Sequence, residues 1–392
     1  MVGEVCARRY DTGLGVRVRI AGGRIAAIDP VEGGLGRCEE WPFVAPGFFD
    51  LQINGYGGVW FSDERITPEQ VLRVLEAHWA YGITRLCPTV ITNSFTAMKH
   101  GLATIRQTCE AEPWADRMVP GCHVEGPYLS PEDGPRGAHP VEHVRPCDIA
   151  EFDRLQEASG GRILLMTLAP EAGGAVELTR HLVSQGVVVS IGHTAANSEQ
   201  IRAVVDAGAT LSTHLGNGSH GTLRRHPNHI WDQLAEDRLS ASLIADGHHL
   251  PGSVLKTMIR AKGSDRIILT CDASGLAGLP PGEYDYHGAR FEVLPEGPIV
   301  IAGQRQYLAG SGQWLDTCVA NAVHLGGATL SQACNMASRQ PAELLGIEVA
   351  SLNTGSRADL VLFDWSSNVM PSPLNIRGTI AEGELRWGKL TW

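Results

Sequence analysis

The sequence lacks a long apolar segment and any sizeable cluster of basic residues. No window approaches the roughly 18 apolar residues that a membrane span needs, and no Lys/Arg cluster is longer than the pair Arg224-Arg225. The formal net charge is -11. These properties argue against nucleic acid or an anionic membrane as the main partner, and they make a cytoplasmic location the default expectation.

The chain also lacks paired cysteine motifs, although it contains nine cysteines. They are scattered at positions 6, 38, 87, 109, 122, 147, 271, 318 and 334, and none belongs to a Cys-x-x-Cys pair. Several lie in apolar runs, such as Cys87 in TRLCPTV and Cys271 in IILTCDAS. We therefore expect reduced, buried thiols rather than a disulfide framework.

Internal repeats and low-complexity linkers are absent as well, and short apolar runs alternating with helical stretches take up most of the 392 residues. There are eight runs: FVAPGFFDLQIN, ITRLCPTVIT, VPGCHVEGPYL, RILLMTLAPE, GVVVSIGHT, ATLSTHLGNG, LSASLIADGHH and RIILTCDAS. Amphipathic stretches at 67–82 and 197–209 lie between runs. Continuous apolar runs are typical of buried parallel strands, and alternation with helices indicates βαβ units. The pattern predicts an α/β fold, a (β/α)8 TIM-like barrel over residues 45–351.

The two ends of the chain have a different pattern. Segments such as GVRVRIAGGRIAAIDP near the start and ADLVLFDW near the end read as short strands broken by glycine. Each end is too short to fold alone. We expect residues 1–44 and 352–392 to pair as a small β-sandwich domain.

Polar residues that end the apolar runs should meet at one face of the barrel, because active sites form at the C-terminal ends of the strands. Among these residues, Glu125, His193 and His214 offer one carboxylate and two imidazoles from three different strands. Such a set can bind a divalent ion and leave room for water. A single histidine is more often structural, but three ligand-type residues at three strand ends predict a metal site.

Asp272 follows the eighth run and has two possible roles. An aspartate after a strand often caps the next helix, but the stretch after Asp272, ASGLAGLPPGEY, reads as a loop. A carboxylate beside water that a metal activates can accept a proton and later deliver it to a leaving group. We favour this second role.

Gln52 and Asn54 raise a separate question at the end of the first run. Many metal-dependent hydrolases have two histidines at this place, spaced so that both point at a metal. Amides are poor ligands, so the site is a lost metal position, a metal site of another kind, or no metal site.

The motifs together resemble a known family. The segments APGFFDLQINGYGG, HVEGPYL, GAHP, IGHT, THLGNG, IADGHH, CDAS and LAGS occur in this order between about residues 45 and 312. They are similar to those of the N-acetylglucosamine-6-phosphate deacetylases of the amidohydrolase superfamily. The combination of His-x-Glu-Gly-Pro with Gln-x-Asn is specific, since most of the superfamily has His-x-His instead.

The resemblance implies metal-dependent hydrolysis of the N-acetyl group of N-acetylglucosamine-6-phosphate, giving glucosamine-6-phosphate and acetate. It implies one divalent ion on Glu125, His193 and His214, with zinc favoured and iron(II), cobalt, nickel or manganese as alternatives. Gln52 and Asn54 then contact the groups that hold the metal, as remnants of a second metal position that some members have lost. The alternative is that they only form hydrogen bonds with the loop GYGG that follows them.

The same resemblance implies roles for residues that act on the substrate. Asp272 activates the water and protonates the departing amine, and His139 polarises the acetyl carbonyl. The residues implied in substrate binding are Ala138, Asn217, Gly218, Arg225, His249, Leu308, Ala309 and Gly310. In the family the arginine can come from the neighbouring subunit, which implies a homodimer.

The chain departs from the family pattern after strand 6. It has His214-Leu-Gly-Asn-Gly-Ser219, without the aromatic residue and the methionine that the family commonly has. Arg224 or Arg225, and His248 or His249, could contact substrate. Alternative substrates are therefore N-acetylgalactosamine-6-phosphate, an unphosphorylated N-acyl sugar, or an N-acyl-amino acid or cyclic amide. A catalytically silent barrel is the non-enzymatic alternative.

Overall fold

A computed structural model describes residues 1–31, 40–286, 288–303, 307–366 and 373–390. Its centre is a barrel of eight parallel strands, arranged in the order of the chain. Barrel strands 1 to 8 are Phe48–Ile53, Ile83–Ile91, Cys122–Glu125, Ile163–Leu168, Val188–Ile191, Leu211–Ser212, Ser240–Ile244 and Ile267–Thr270. Each of the eight predicted runs contributes one strand to the barrel, and the predicted barrel is confirmed.

The barrel closes between strands 8 and 1. The backbone of Asn54 donates to the carbonyl of Ala273 at 2.9 Å, just beyond both strands. The buried carboxylate of Asp50 accepts hydrogen bonds from the backbone N–H of Cys271 at 2.9 Å and the hydroxyl of Thr270 at 2.5 Å. A side chain of strand 1 thereby satisfies backbone and hydroxyl groups of strand 8, so the first and last strands stay in register.

Helices surround the barrel, and the described residues contain eleven α-helices. They are α1 (Pro68–His78), α2 (Phe95–Ala111), α3 (Pro113–Met118), α4 (Ile149–Ala158), α5 (Ala175–Ser184), α6 (Ser198–Asp206), α7 (His229–Ala235), α8 (Gly252–Lys262), α9 (Leu315–His324), α10 (Leu330–Met336) and α11 (Arg339–Leu344). α1 and α6 fall in the two stretches predicted to be helical. Each begins at a capping box, formed by Thr67 with Gln70 and by Asn197 with Gln200.

The two ends of the chain form one seven-stranded sheet. In spatial order its strands are Glu384–Gly388, Asn375–Ala381, Leu360–Asp364, Phe43–Pro46, Glu4–Arg9, Gly15–Ala21 and Arg24–Pro30. Val18 and Ile25 from one half share a core with Leu360 and Ile380 from the other. The two terminal segments therefore pair with each other in one sheet, apart from the barrel strands. Strand Phe43–Pro46 belongs to this sheet and Phe48 opens the barrel, so the predicted boundary between residues 44 and 45 falls inside a strand. We propose residues 1–46 and 352–392 as the β domain and residues 47–351 as the barrel.

A three-stranded antiparallel sheet follows barrel strand 8, and it was not predicted from the sequence. Its strands are Gly282–Tyr286, Ala289–Val293 and Ile299–Ile301. A second small element, the hairpin of Gly55–Tyr56 and Val59–Trp60, follows strand 1. Both lie beyond the C-terminal ends of the strands, so they extend the walls around the barrel mouth.

None of the described helices is long and apolar enough to cross a membrane. The eight described cysteines are unpaired, and six of them are buried. Cys38 lies outside the described residues.

Candidate active site

The four residues predicted to carry the chemistry are brought together at the C-terminal ends of the barrel strands. Glu125 is the last residue of strand 3, and His193, His214 and Asp272 each lie two residues beyond strands 5, 6 and 8. All four are buried. The three that follow their strands have positive φ angles of 50°, 30° and 53°, in the order His193, His214, Asp272. Non-glycine residues rarely adopt such angles, and strain of this kind concentrates at functional sites.

The side chains of Glu125, His193 and His214 converge on one point. The Nε2 atom of His214 lies 2.9 Å from Oε1 of Glu125, and Nε2 of His193 lies 3.3 Å from the same oxygen. The two Nε2 atoms are 3.1 Å apart. One atom from each residue lies within 4.8 Å of the others. This is the spacing that ligands of a single divalent ion require, and the donor set of two imidazoles and one carboxylate suits such an ion.

Groups behind these ligands orient them. The Nδ1 atom of His193 lies 2.9 Å from the carbonyl oxygen of Pro135, which fixes the proton on Nδ1 and leaves Nε2 available to a metal. The amide of Gln52 donates to Oε1 of Glu125 at 2.9 Å. Burial by itself raises the pKa of Glu125, but hydrogen bonds and charge from His193 and His214 hold the pKa well below its ordinary value. The carboxylate is therefore ready to act as a ligand.

Asp272 is held by the second amide of the Gln-x-Asn pair. Nδ2 of Asn54 donates to Oδ1 of Asp272 at 2.7 Å. Burial, and then the negative charge of Glu125, raise the pKa of Asp272 to about 8. A carboxyl group whose pKa lies near neutrality can both take and return a proton, which is the property that acid–base catalysis needs.

His139 adds a third imidazole to the cluster. Its Nε2 lies 3.3 Å from Nε2 of His193 and 3.8 Å from Oε2 of Glu125. Burial, and then the neighbouring His193, lower the pKa of His139 to about 3. The ring is therefore neutral, and its loop is held in place by Arg136, which donates to the carbonyl of His139 at 2.9 Å.

Two histidines follow strand 7, and they have different environments. The side chain of His249 is 5% exposed and pairs with Asp246, whereas His248 is exposed. The Nδ1 atom of His249 lies 2.7 Å from Oδ2 of Asp246. Of the two neighbours that the sequence left open, His249 is the one whose ring the fold orients.

These residues line one cavity of about 980 Å³. The predicted residues on its wall are Asn54, Glu125, Ala138, His139, His193, His214, Asn217, Gly218, His248, His249, Asp272, Leu308, Ala309 and Gly310. Gln52 lies behind Glu125 and is not part of the wall. Gly218 has a φ angle of 57°, and a Cβ atom there would lie 2.8 Å from Nδ1 of His193, so only glycine lets this loop pass so close to the ligand.

The predicted arginines lie away from the cavity within this chain. Arg224 and Arg225 are exposed and do not line it. Among the described residues, Arg136 is the cavity-lining residue with a permanent positive charge. The loop that carries Arg224 and Arg225 therefore meets solvent or another molecule.

Other parts of the cavity were missed by sequence reasoning. Trp60 stacks on Tyr286 with ring centroids 4.6 Å apart, and Phe291 lies near Trp60 at 6.4 Å. This aromatic wall joins the hairpin after strand 1 to the inserted sheet after strand 8. The sequence gives no short-range signal for it, because the partners are more than 220 residues apart.

Comparison with known proteins agrees with this geometry. The model of the Amidohydrolase family matches residues 43–386, which include the whole barrel and the site. This chain belongs to the amidohydrolase family. A relative from Escherichia coli O157:H7, an N-acetylgalactosamine-6-phosphate deacetylase, is 37% identical over 93% of this chain and 94% of its own length. The N-acetylglucosamine-6-phosphate deacetylase of Bos taurus is 34% identical over 88% of this chain and 83% of its own.

Several solved structures of N-acetylglucosamine-6-phosphate deacetylases are also similar to this chain. A mutant of the N-acetyl-D-glucosamine-6-phosphate deacetylase of Mycobacterium smegmatis, in complex with N-acetyl-D-glucosamine-6-phosphate, has a TM-score of 0.84 and 29% identity, and covers 95% of this chain and 94% of that one. The N-acetylglucosamine-6-phosphate deacetylase of Pasteurella multocida has a TM-score of 0.84 and 27% identity over 97% and 99%. The predicted resemblance to the N-acetylglucosamine-6-phosphate deacetylases is confirmed.

Proposed function

We propose that this protein is a metal-dependent deacetylase of N-acetylglucosamine-6-phosphate that produces glucosamine-6-phosphate and acetate. The observation that carries the proposal is the convergence of Glu125, His193 and His214 beside the carboxyl group of Asp272 at the mouth of the barrel. A catalytically silent barrel would have no reason to keep both the ligand set and the acid–base group buried together.

The proposed cofactor is one divalent ion held by Glu125, His193 and His214. Zinc suits two imidazoles and a carboxylate, and iron(II), cobalt, nickel and manganese are alternatives. When bound, such an ion polarises a carbonyl and lowers the pKa of water.

Asp272 is the proposed proton carrier. Its carboxyl group takes a proton from the attacking water and delivers it to the amine, which is a poor leaving group unless protonated. Asn54 holds Oδ1 of Asp272 at 2.7 Å, so it points the carboxyl group while leaving Oδ2 free of this bond. Gln52 does the same for Glu125. We therefore propose that the two amides support the carboxylates and do not bind the metal themselves.

His139 is the proposed donor to the acetyl carbonyl. A neutral imidazole can offer an N–H where negative charge develops on the oxygen. Its Nε2 lies within 4 Å of both His193 and Glu125, so a carbonyl next to the metal would be within its reach.

The proposed sugar-binding surface is formed by the loops above the metal ligands. Asn217, Gly218, His249, Ala138 and the segment 308–310 all line the cavity. Arg225 is exposed, and we propose that it reaches the active site of the neighbouring subunit in a homodimer and binds the 6-phosphate. A guanidinium suits this role because it can make two parallel hydrogen bonds to a phosphate. A cytoplasmic location remains a prediction from the sequence.

N-acetylgalactosamine-6-phosphate is the second candidate substrate. The 37% identity with the E. coli deacetylase of that sugar favours it, and the segment after His214 departs from the pattern common among N-acetylglucosamine-6-phosphate deacetylases. The two sugars differ only in the configuration at C4, so the same metal site and the same proton carrier would serve both.

The deciding experiment measures release of free amine from four compounds, with the metal content determined on the same preparation. The compounds are N-acetylglucosamine-6-phosphate, N-acetylgalactosamine-6-phosphate and the two unphosphorylated sugars. Faster turnover of the first, with about one metal ion per chain, supports the proposal, and preference for the second would transfer it to the galactose series. Metal without hydrolysis of any of the four would contradict both and favour another N-acyl or cyclic amide substrate.

A further inference from the structure

We propose that Asp246 is a positioning residue that fixes the ring of His249 for the substrate and couples it to the segment that carries Asp272. This inference rests on the proposed function, because it assigns a role within the same active site. Asp246 lies two residues beyond barrel strand 7, which ends at Ile244, and it does not line the cavity itself.

The carboxylate of Asp246 makes four hydrogen bonds. Oδ1 accepts from the backbone N–H groups of His248 and His249, each at 2.8 Å. Oδ2 accepts from Nδ1 of His249 at 2.7 Å and from the hydroxyl of Ser311 at 2.9 Å. The side chain is 2% exposed. A buried carboxylate satisfied on both oxygens is rigid, and it imposes its geometry on each donor.

The first consequence concerns the proton on His249. A carboxylate can only accept, so the proton of a neutral ring resides on Nδ1 and Nε2 is the nitrogen that remains for the substrate. Burial by itself raises the pKa of Asp246, but the hydrogen bonds and charge of His249 lower the pKa to about 2. The carboxylate therefore stays ionised at all pH values at which the enzyme is expected to work.

The second consequence concerns the loop after strand 8. Ser311, which donates to Asp246, also donates its backbone N–H to the carbonyl of Asp272 at 2.8 Å, and accepts from the backbone of Ser274 at 3.0 Å. Ser311 directly follows the proposed substrate-contacting segment 308–310. One carboxylate thus holds the sugar-binding histidine in a fixed position relative to the proton carrier. Small errors in such positions have large effects on rate.

The test is a double-mutant cycle with Asp246→Asn and His249→Gln, assayed on the best substrate. Asparagine has one acceptor oxygen where aspartate has two. It therefore cannot accept from both the backbone N–H groups and Nδ1 of His249, and it keeps the volume of the side chain. We expect Asp246→Asn to lower kcat/KM by roughly 10- to 100-fold, the usual cost of losing an orienting partner. If Asp246 acts mainly through His249, the substitution lowers kcat/KM less in the His249→Gln background than in the parent, and the residual loss there matches that of Ser311→Ala. An equal loss in both backgrounds would overturn the proposal.

A matched control distinguishes this effect from general damage to a buried aspartate. Asp316 is also buried, it does not line the cavity, and its Oδ1 accepts a local hydrogen bond from the backbone of Thr317. Asp316→Asn should leave kcat/KM within about 3-fold of the parent. Ser311→Ala removes one of the four hydrogen bonds to Asp246. It should lower kcat/KM by an amount between those of Asp316→Asn and Asp246→Asn.

A spectroscopic measurement on the parent protein tests the geometry without depending on activity or on the folding of a variant. Protein labelled with nitrogen-15 in histidine is studied by NMR, and the His249 signals are identified by their loss in His249→Gln. A proton on Nδ1 with slowed exchange supports the proposal, and a neutral ring protonated on Nε2 overturns it. If the parent hydrolyses none of the four sugars, the proposed function fails while this measurement still decides the role of Asp246.

Discussion

The floor and the rim of the cavity are built differently. On the floor, Glu125, His193, His214 and Asp272 are buried and sit on or within two residues of barrel strands. At the rim, the loop 219–225 and the inserted sheet, with its strands at 282–286, 289–293 and 299–301, lie outside the barrel, and Arg224 and Arg225 are exposed. The barrel thus positions the catalytic residues, while the loops determine substrate specificity, as is usual in this architecture.

Removing the metal should have the largest effect, because every proposed step on the floor depends on polarisation by the ion. We expect His214→Gln, or treatment of the parent with a chelator, to abolish measurable turnover and the bound metal together. Activity of the chelated parent should return when zinc or manganese is added back. Full turnover by metal-free protein would contradict the metal-dependent mechanism.

Substitution of the proposed proton carrier should reduce turnover nearly as much as removal of the metal does, while the metal stays bound. Asp272→Asn should lower kcat by about 10²- to 10⁴-fold, the range of general acid–base catalysis, with metal content unchanged. The separation of the two readouts distinguishes Asp272 from the three ligands. Unchanged turnover in this variant would show that another group transfers the proton.

The two amides should show smaller effects of two different kinds. Gln52→Ala removes the donor to Glu125, and we expect a roughly 10- to 100-fold loss of metal affinity. Asn54→Ala removes the donor to Asp272, and we expect a similar loss in kcat with little change in metal affinity. Loss of a second metal equivalent in both variants would instead make the pair true ligands.

Substitutions at the rim should have the smallest effects on activity, and only with phosphorylated substrates. Arg225→Ala should raise KM for the sugar phosphate by about 10-fold, since one charge-assisted contact contributes roughly 1.5 kcal/mol, and should leave kcat close to that of the parent. Arg224→Ala is the matched control, with the same charge change one residue away. Equal effects of both substitutions would indicate general electrostatic attraction rather than a specific contact. A purely monomeric protein in solution would remove the basis for a contact between subunits.

The grouping of the residues on the cavity floor could be predicted, because each of them follows a recognisable apolar run. Continuous apolar runs identify buried strands, and the C-terminal ends of parallel strands meet by topology, so Glu125, His193, His214 and Asp272 could be grouped before their distances were known. The positive φ angles of His193, His214 and Asp272 could not be predicted from the sequence, because they depend on how each strand continues into its loop.

The rim was predicted less completely, for physical reasons. The stacking of Trp60 on Tyr286 joins segments distant in the chain, and the inserted sheet begins within a stretch that reads as a loop. Asp246 lies in the predicted run LSASLIADGHH, but its pairing with His249 and Ser311 is a tertiary property that the run does not reveal. At Gly216, where the family commonly has an aromatic residue, φ is 96° and a Cβ would meet Met258 at 3.0 Å. Only the backbone conformation shows why this loop is shaped for glycine.

The seven-stranded terminal sheet has a consequence for biosynthesis. Strand Phe43–Pro46 lies between Glu4–Arg9 and Leu360–Asp364, so one of its neighbours is made more than 300 residues later. At about 5 to 20 residues per second on the ribosome, this strand waits roughly 15 to 60 s for its second partner. During that time the nascent chain presents an unpaired strand edge, which is a site for mispairing between polysome-bound copies. The barrel must emerge and begin to fold while that edge is still open.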